Sequence, residues 1–480
     1  MAGADGGGAA RLTGSGLPIL QLPDHAGRFR QTEFRFPFAV CPLSSPAGSG
    51  GSIDMDMRRN SPWLALVILT AISTVGFVDR IVVNVLVEPI KAEFSLTDQQ
   101  VSLMGVAFTI LNVGVGLVIA RYAERVRRLS LISVGTLLWS GATAICGWAG
   151  GWVHLLAARM GVGLGEAIGL PSLQSVISDY FPANKRGLAI SVLMLAPPVG
   201  AFIGFVGGGW IAQEFSWRFT FLIAAIPGVF LAAFAWFLVK EPTRGAHDPG
   251  AGDDVPPITQ VLARLFALPS ARNLVIGSAL AAMLGFGLNY FFTSLMIRQF
   301  EVGLAEAGLY SGLIASLPAA VSVIVSGMLG DRLGEKNPAA YALVPAFCLI
   351  LGGPIYALAI TRDDLGLLLG LVSVATFLNF GYLGITFAAL QNLMHPRMRA
   401  TCTAVLNVVY GIASALGPFL LGSLSDHFAL GYGEVRGLTI AMAITGALYV
   451  WAGLHYLLAA RNYRADLAST KGGGEGEISA

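Results

Sequence analysis

The sequence predicts an all-α membrane protein whose twelve transmembrane helices form two pseudo-symmetric six-helix bundles. Three observations predict this fold: the composition, the number of long apolar stretches, and a loop pattern that occurs twice. Of the 480 residues, 55% are hydrophobic and only 12% are charged, and the mean hydropathy is +0.70. Because a soluble protein carries about 25% charged residues to cover its surface, most of this surface must face lipid.

Twelve apolar stretches are long enough to cross a bilayer, since a helix needs about 20 apolar residues to span roughly 30 Å of hydrocarbon. The first six predicted spans are 62–87, 99–120, 129–149, 153–178, 187–212 and 218–239. The second six are 273–297, 304–329, 339–360, 365–391, 400–424 and 436–459. The predicted domains are therefore an N-terminal bundle at 58–239, a polar cytoplasmic linker at 240–271 and a C-terminal bundle at 272–460.

Both ends of the chain differ from the spans in composition. Residues 1–57 are rich in Gly, Ala, Pro and Ser and show no helical period. Such a segment cannot bury enough apolar surface to become ordered, so we expect a disordered tail. Met55 and Met57 are alternative starts, which leaves open whether residues 1–54 belong to the mature protein. The polar residues 461–480 predict a second disordered tail.

Lysine and arginine are unevenly distributed between the two sides of the predicted bundle. The loops and span ends of one side hold 19 of these residues, and those of the other side hold 5. Because basic residues are retained in cytoplasmic loops, we expect the richer side to be cytoplasmic. An even number of spans then places both termini and the linker in the cytoplasm, with the protein a multi-pass component of the inner (plasma) membrane.

The loops after spans 2 and 8 repeat one pattern, in which a Gly at the span end is followed by an acid–Arg pair. The pairs are Glu124–Arg125 in the first half and Asp331–Arg332 in the second. Cytoplasmic loops are generally enriched in Arg, but this enrichment does not explain why Gly, an acid and Arg follow in the same order at matching positions of the two halves. The repeat indicates a duplicated six-helix unit, as in transporters that rock two halves about a central site. We expect these four residues to form a gate whose ion pairs break and re-form.

Several motifs resemble those of a known family. The stretch GMLGDRLGEK (327–336) resembles the loop signature of the major facilitator superfamily, and RMGVGLGEA (159–167) resembles its span 4 signature. FVDR (77–80), EPIK (88–91) and SDYFP (178–182) resemble the bacterial branch of the spinster family. Spinster-type proteins move lysophospholipids or sphingoid lipids with proton coupling. The resemblance therefore implies an exporter or exchanger of amphiphiles.

Two features depart from the superfamily pattern. Glu124 stands where the first loop signature usually has Asp, which preserves the charge but changes the side-chain length. Span 5, with LAPPVGAFIG at 195–204, lacks a clean antiporter signature. Antiport is therefore poorly supported by the sequence.

Four charged side chains lie deep inside predicted spans, away from the span ends: Asp79 and Arg80 in span 1, and Arg159 and Glu166 in span 4. A charge in hydrocarbon costs several kcal/mol unless it is paired or hydrated, so such residues are functional candidates. At about 1.5 Å per residue, Asp79 and Glu166 both fall in the middle third of the bilayer. We expect the four residues to line the central cavity, couple proton binding to transport and bind an anionic group. The alternative is a set of permanent salt bridges that fixes helix packing.

The second half offers only neutral polar candidates inside its spans. Asn289 and Tyr290 lie in span 7, Asn379 in span 10 and Asn407 in span 11. We expect them to line the cavity, although hydrogen bonds between helices are an equally good explanation.

These observations predict a secondary active transporter that moves a small amphiphilic or lipid-like substrate by alternating access with proton coupling. The alternatives are a small organic acid symporter, a drug efflux transporter and, more remotely, a sensor that does not cycle. We expect a monomer whose partners are its substrate, protons and membrane lipids, and not nucleic acid. The sequence contains no nucleophile–base pair, and its four cysteines and six histidines are scattered. No enzyme activity, cofactor or metal is therefore expected.

Overall fold

A computed structural model describes residues 61–123, 126–169, 171–243 and 257–472. Twelve of its helical segments are long and apolar enough to cross a membrane, so the predicted number of spans is confirmed. Two predictions, the tail at 1–57 and the gate residues Glu124 and Arg125, lie outside the described residues.

The first six spans form what we call the N-half. Span 1 is Pro62–Val85, continued by Val87–Phe94; span 2 is Asp98–Ala123; span 3 is Arg128–Gly147; span 4 is Trp152–Gly169 and Pro171–Tyr180; span 5 is Ala183–Leu193 and Ala196–Glu214; span 6 is Trp217–Leu238.

The last six spans form the C-half. Span 7 is Pro269–Phe300; span 8 is Leu304–Lys336; span 9 is Ala340–Ile360; span 10 is Leu365–Asn379 and Leu383–Leu393; span 11, after a 3₁₀ turn at Pro396–Met398, is Arg399–Tyr432; span 12 is Glu434–Ala447 and Tyr449–Gly472. We call the side on which span 6 ends and span 7 begins the linker side, and the other the opposite side.

Side-chain caps mark the starts of several spans. Ser61 precedes Pro62 at the start of span 1, and its hydroxyl accepts a hydrogen bond from Leu64 N. Ser216 caps span 6 in the same way, and Asp364 caps span 10. These residues satisfy backbone N–H groups that have no partner within the helix.

Glycines in span 4 let neighbouring spans approach closely enough to place its charged residues. A Cβ added at Gly163 would lie 2.1 Å from the carbonyl oxygen of Phe108 in span 2. A Cβ at Gly165 would lie 2.5 Å from the backbone nitrogen of Trp139 in span 3. Only glycine permits such backbone contact, and span 4 is thereby held against spans 2 and 3.

Two pairs of spans make the most extensive contacts between the halves: span 2 packs against span 11, and span 5 packs against span 8. Near the opposite side, a Cβ at Gly308 would lie 2.5 Å from the carbonyl oxygen of Phe205. Likewise, a Cβ at Gly422 would lie 2.6 Å from the carbonyl oxygen of Asp98. The halves therefore approach to backbone contact near the opposite side.

The segment between the halves contains a helix that was not predicted, Ile258–Ala267. Val261 and Leu265 on this helix are buried, and Arg264 donates a hydrogen bond to the carbonyl oxygen of Leu393. The helix therefore packs on the C-half.

The predicted end of the C-terminal bundle at residue 460 is also wrong, because span 12 continues to Gly472. Tyr463 is fully buried and donates a hydrogen bond to the carbonyl oxygen of Ala389. Asp466 accepts hydrogen bonds from the N–H and hydroxyl of Ser270, so it caps the start of span 7. Residues 461–472 have one polar face, but the other face of this helix packs on the bundle. This packing explains why the segment forms a helix.

Candidate functional site

The centre of the N-half contains an ion pair between spans 1 and 4. The Arg80 guanidinium donates through Nε to Glu166 Oε2 at 2.7 Å, and its Nη2 lies 2.5 Å from the same oxygen. The Glu166 side chain is fully buried, whereas the Arg80 side chain is 35% exposed. Arg80 therefore lies between a buried carboxylate and accessible space.

Asp79 and Arg159 lie beside this pair and are both buried. Thr143 Oγ1 in span 3 donates to Asp79 Oδ2 at 3.2 Å. Arg159 Nη1 donates to the backbone oxygen of Asp79 at 3.4 Å. The side chains of the four charged residues predicted as a cluster therefore meet between spans 1 and 4.

Phe108 of span 2 lies between the two arginines. The guanidinium carbon of Arg80 is 5.1 Å from the centre of the Phe108 ring, and that of Arg159 is 5.4 Å from it. Cation–π attraction stabilises guanidinium groups at these distances, so the ring supports two positive charges that would otherwise repel each other.

Both carboxylates of the cluster have one oxygen for which no hydrogen bond is described. Two carboxylates and two guanidinium groups balance in formal charge. Asp79 Oδ1 and Glu166 Oε1 are nevertheless buried without a hydrogen-bond partner among the described residues. An unpartnered carboxylate oxygen in a low-dielectric site is costly when charged, and it is the position at which a proton can be added.

The neutral candidates of span 7 lie at the contact between the halves. Asn84 Nδ2, one turn after Arg80 in span 1, donates to Asn289 Oδ1 at 3.1 Å. The Tyr290 hydroxyl donates to the carbonyl oxygen of Val101 in span 2 at 3.0 Å. Both residues thus make hydrogen bonds between helices of the two halves. Such bonds were the alternative to a role in lining the cavity.

The other two neutral candidates occupy different environments. Asn379 is buried and lines a cavity inside the C-half, which Asn289 also lines. Asn407 is exposed. It lies one turn before Gly411, where an added Cβ would contact Val113 of span 2 at 2.7 Å. Asn407 therefore lies on the face of span 11 that approaches the N-half.

A second charged cluster, which sequence analysis missed, joins the halves on the opposite side. Arg298 at the end of span 7 lies 2.6 Å from Asp98 and 2.7 Å from Glu88. Lys91 lies 3.0 Å from Asp98 and 3.1 Å from Glu434 at the start of span 12. We call these five residues the opposite-side cluster. Arg298 and Asp98 are almost completely buried, so this is more than a surface ion pair.

Asp426 of span 11 strengthens the same contact. Its carboxylate accepts hydrogen bonds from the backbone N–H groups of Asp98 and Gln99, both at 2.9 Å. The N-terminus of span 2 is therefore capped by a carboxylate from the other half. Anions at a helix N-terminus are favoured by the free N–H groups and by the helix dipole.

Of the predicted gate on the linker side, the structure describes only Asp331 and Arg332. Asp331 is exposed and accepts a hydrogen bond from Tyr341 of its own half at 2.9 Å. Arg332 is exposed. The described hydrogen bonds between halves cluster instead toward the opposite side, as at Asp98 and Asn84.

The comparisons with known proteins agree with the motifs. The sequence model of the Major Facilitator Superfamily matches residues 68–418. An MFS-type efflux pump of Mycolicibacterium smegmatis is 28% identical over 444 residues, which cover 88% of this chain and 99% of the pump. The sphingosine-1-phosphate transporter SPNS2 of Danio rerio is 25% identical over 435 residues, covering 84% of this chain and 85% of that protein.

A solved structure gives the same result. The crystal structure of a bacterial homolog of the human lysosomal transporter spinster, in an inward-facing and unoccupied conformation, superposes with a TM-score of 0.79. It is 28% identical to this chain, and the match covers 84% of this chain and 98% of that one. The resemblance predicted from the motifs is therefore confirmed.

Proposed function

Because this chain belongs to the Major Facilitator Superfamily, we propose that it is a proton-coupled secondary transporter of an anionic amphiphile. That the chain is a transporter and not an enzyme follows from the family and its relatives. The observation that carries the finer proposal is the position of Arg80, which is partly exposed yet bonded to a fully buried Glu166.

An anionic group that enters the accessible space can bind the exposed part of Arg80. A guanidinium presents several donors in one plane and suits a carboxylate or phosphate. As the anion draws Arg80 toward itself, Glu166 is left buried with a charge that is no longer compensated. A buried unpaired charge costs several kcal/mol, so Glu166 takes up a proton.

This competition sets the sign of the coupling. The formal charge of the cluster stays balanced only if one proton enters with each anion. The anion therefore favours proton binding, and the proton favours anion binding by the same factor. We infer that the two move together in the same direction. A cationic drug would instead compete with the proton for the cluster. Drug efflux in exchange for protons would therefore require coupling of the opposite sign.

Alternating access follows from where the halves are joined. The opposite-side cluster and Asp426 hold the opposite side closed, which leaves the site accessible from the linker side. Under the orientation indicated by the basic residues, this is the cytoplasmic side and the state is inward-facing. When the halves rock, Asp331 and Arg332 with Glu124 and Arg125 would form the gate on the linker side.

The amphiphile is preferred over a small organic acid because spinster-type proteins recur among the relatives and the matching structure, one of them named as a sphingosine-1-phosphate transporter, whereas one relative is named as a D-galactonate transporter. A small organic acid remains the second candidate, since Arg80 binds any carboxylate in the same way. The two differ in whether an acyl chain is needed for binding and not in the coupling chemistry.

The test is flux into proteoliposomes under an imposed pH gradient. We would use purified wild type, Glu166→Gln and Glu335→Gln, the last being an exposed acid in span 8 that serves as a matched control. Lysophosphatidate and gluconate are the probes. We expect wild type and Glu335→Gln to accumulate lysophosphatidate when the gradient is imposed. Glu166→Gln should exchange the probe without responding to the gradient.

Two results would overturn the proposal. A pH response of Glu166→Gln equal to that of wild type would remove the coupling role of Glu166. Accumulation of gluconate with no movement of lysophosphatidate would replace the amphiphile by a small organic acid.

A further inference from the structure

We propose that Thr143 of span 3 is a positioning residue that sets the pH at which Asp79 releases its proton. This inference rests on the proposed function, because the charge on Asp79 decides whether the cluster still needs a proton when the anion binds.

The carboxylate of Asp79 has one side-chain partner in the described part of the chain. Thr143 Oγ1 donates to its Oδ2 at 3.2 Å, while Oδ1 has no hydrogen-bond partner there. Asp79 and Thr143 are both fully buried. Because the carboxylate is closed to solvent, the hydroxyl of Thr143 is the side-chain donor that stabilises its charge directly.

Asp79 differs in this respect from Glu166. Arg80 forms an ion pair with Glu166 at 2.5 Å. Arg159 instead donates to the backbone oxygen of Asp79, and its Nε is buried without a partner among the residues that the structure describes. A buried carboxylate without an ion pair is costly when charged. A single hydroxyl donor therefore has a large effect on whether Asp79 is charged.

The ionisable groups that face Asp79 come from spans 3 and 4. They are Cys146 of span 3 and Arg159 and Glu166 of span 4. Spans 5, 6 and 7 also pack against span 1, but their charged side chains lie only near their ends. The Glu166 carboxylate opposes a negative charge on Asp79, whereas Arg159 and Thr143 favour it.

Span 3 contains a matched threonine that does not bond to span 1. Thr136 lies seven residues before Thr143, hence on the same face of the helix, and is also fully buried. Its hydroxyl donates to the Ile132 oxygen of its own helix at 2.7 Å. A threonine hydroxyl in a helix commonly makes that internal bond. The bond from Thr143 to Asp79 is therefore specific to the level at which span 3 passes the charged cluster.

The charge on Asp79 decides how the anion is balanced. When Asp79 is charged, the two carboxylates and two guanidinium groups balance, and the entering anion requires a proton on Glu166. When Asp79 holds a proton, the cluster already carries one extra positive charge, and the anion binds without that second proton. Thr143 bonds the charged carboxylate more strongly than the neutral acid, because charge-assisted hydrogen bonds are about twice as strong. Thr143 therefore lowers the pH above which proton uptake accompanies the anion.

An infrared pH titration of the purified full chain tests this inference without any substrate. In a detergent that contains no carbonyl group, a protonated aspartate is seen by its carboxyl absorption, and the Asp79 band is the one lost in Asp79→Asn. Thr143→Val keeps the shape of the side chain but removes the hydroxyl. We expect it to raise the midpoint of this band by about one pH unit, a roughly tenfold gain in proton affinity, as loss of one charge-assisted hydrogen bond predicts. Thr143→Ser, which keeps the hydroxyl, should retain the wild-type midpoint.

Thr136→Val is the matched control and should leave the midpoint unchanged. An unchanged midpoint in Thr143→Val, or an equal shift in Thr136→Val, would overturn the role of Thr143. So would a wild-type titration in which Asp79→Asn removes no band, or removes a band that does not change with pH. If Thr143→Val does not fold, Thr143→Ala tests the same point. No substrate is present in this titration, so its failure is distinguishable from failure of the proposed function, which the flux test of Glu166→Gln measures.

Discussion

Replacement of Asp426 by Ala should shift the balance between the two states of the transporter. The Asp426 carboxylate accepts two backbone N–H bonds at the start of span 2, from Asp98 and Gln99. These bonds join different halves, so they exist only while the opposite side is closed. Their loss therefore destabilises the closed state relative to the open one.

The magnitude follows from the two bonds. Loss of a helix N-cap costs about 0.5–2 kcal/mol, and a hydrogen bond to a charged group contributes about 1.5–3 kcal/mol. We take about 2 kcal/mol for Asp426→Ala, since water can replace part of the interaction. At 1.4 kcal/mol per factor of ten, this is roughly a 30-fold shift toward opening of the opposite side.

Spin-label distances measure this shift. Labels at Gly150→Cys and Asp363→Cys lie in exposed loops of the two halves on the opposite side, and a side chain at Gly150 would meet nothing within 4 Å. The labels are placed in a chain without its native cysteines. We expect Asp426→Ala to transfer population from the short distance to a longer one.

Asp466→Ala is the matched control. Asp466 also caps a helix N-terminus, that of span 7 at Ser270, but within a single half. It should lower the unfolding temperature without changing the label distances. If Asp426→Ala also left the distances unchanged, or if both variants shifted them equally, the assignment of Asp426 to a gate between the halves would be wrong.

Two further predictions concern other parts of the fold. Gly163→Ala should lower the unfolding temperature or abolish folding, because the added Cβ would lie 2.1 Å from the Phe108 oxygen. Gly105→Ala is the control and should have neither effect, because nothing lies within 4 Å of a Cβ at Gly105. Equal effects of the two variants would contradict the described packing. On the short helix Val87–Phe94, which follows the membrane-crossing helix Pro62–Val85, the hydrogen bond from Arg218 holds the pKa of Glu93 below its usual 4.5. The stabilisation from this pair is therefore present above pH 4.5 and is lost as the pH falls through the lowered pKa. Glu93→Gln should remove this part of the pH dependence of the unfolding temperature, and an unchanged profile would show that the pair contributes nothing.

The number of spans and the charged cluster were predictable because the bilayer constrains them strongly. Length and hydropathy define the spans, and the cost of charge in hydrocarbon singles out Asp79, Arg80, Arg159 and Glu166. The pairing of Arg80 with Glu166 was not predictable in detail. It depends on the rotation of spans 1 and 4 about their axes. The contact of Gly204 with Ile81 constrains span 1, and the contact of Gly163 with Phe108 constrains span 4.

The opposite-side cluster was missed because its residues were read as loop charges. Lys91 and Arg298 are two of only five basic residues assigned to that side, and acids lie near Lys91 in the sequence. The small number of basic residues on that side was the signal from which the cluster could have been predicted. The cap by Asp426 leaves no local signal, because its partners lie more than 300 residues away in the chain. The helix at 461–472 was missed because polarity of one face was taken as polarity of the whole segment.

We propose that Arg80 is shared between Glu166 and the transported anion, so that anion binding places a proton on Glu166. Infrared difference spectroscopy of the purified protein, with and without lysophosphatidate, measures this directly. A protonated carboxyl group should appear when the probe is added to wild type and to Glu335→Gln, and it should be absent in Glu166→Gln. A spectrum without that group in wild type, or one that keeps it in Glu166→Gln, would contradict the account.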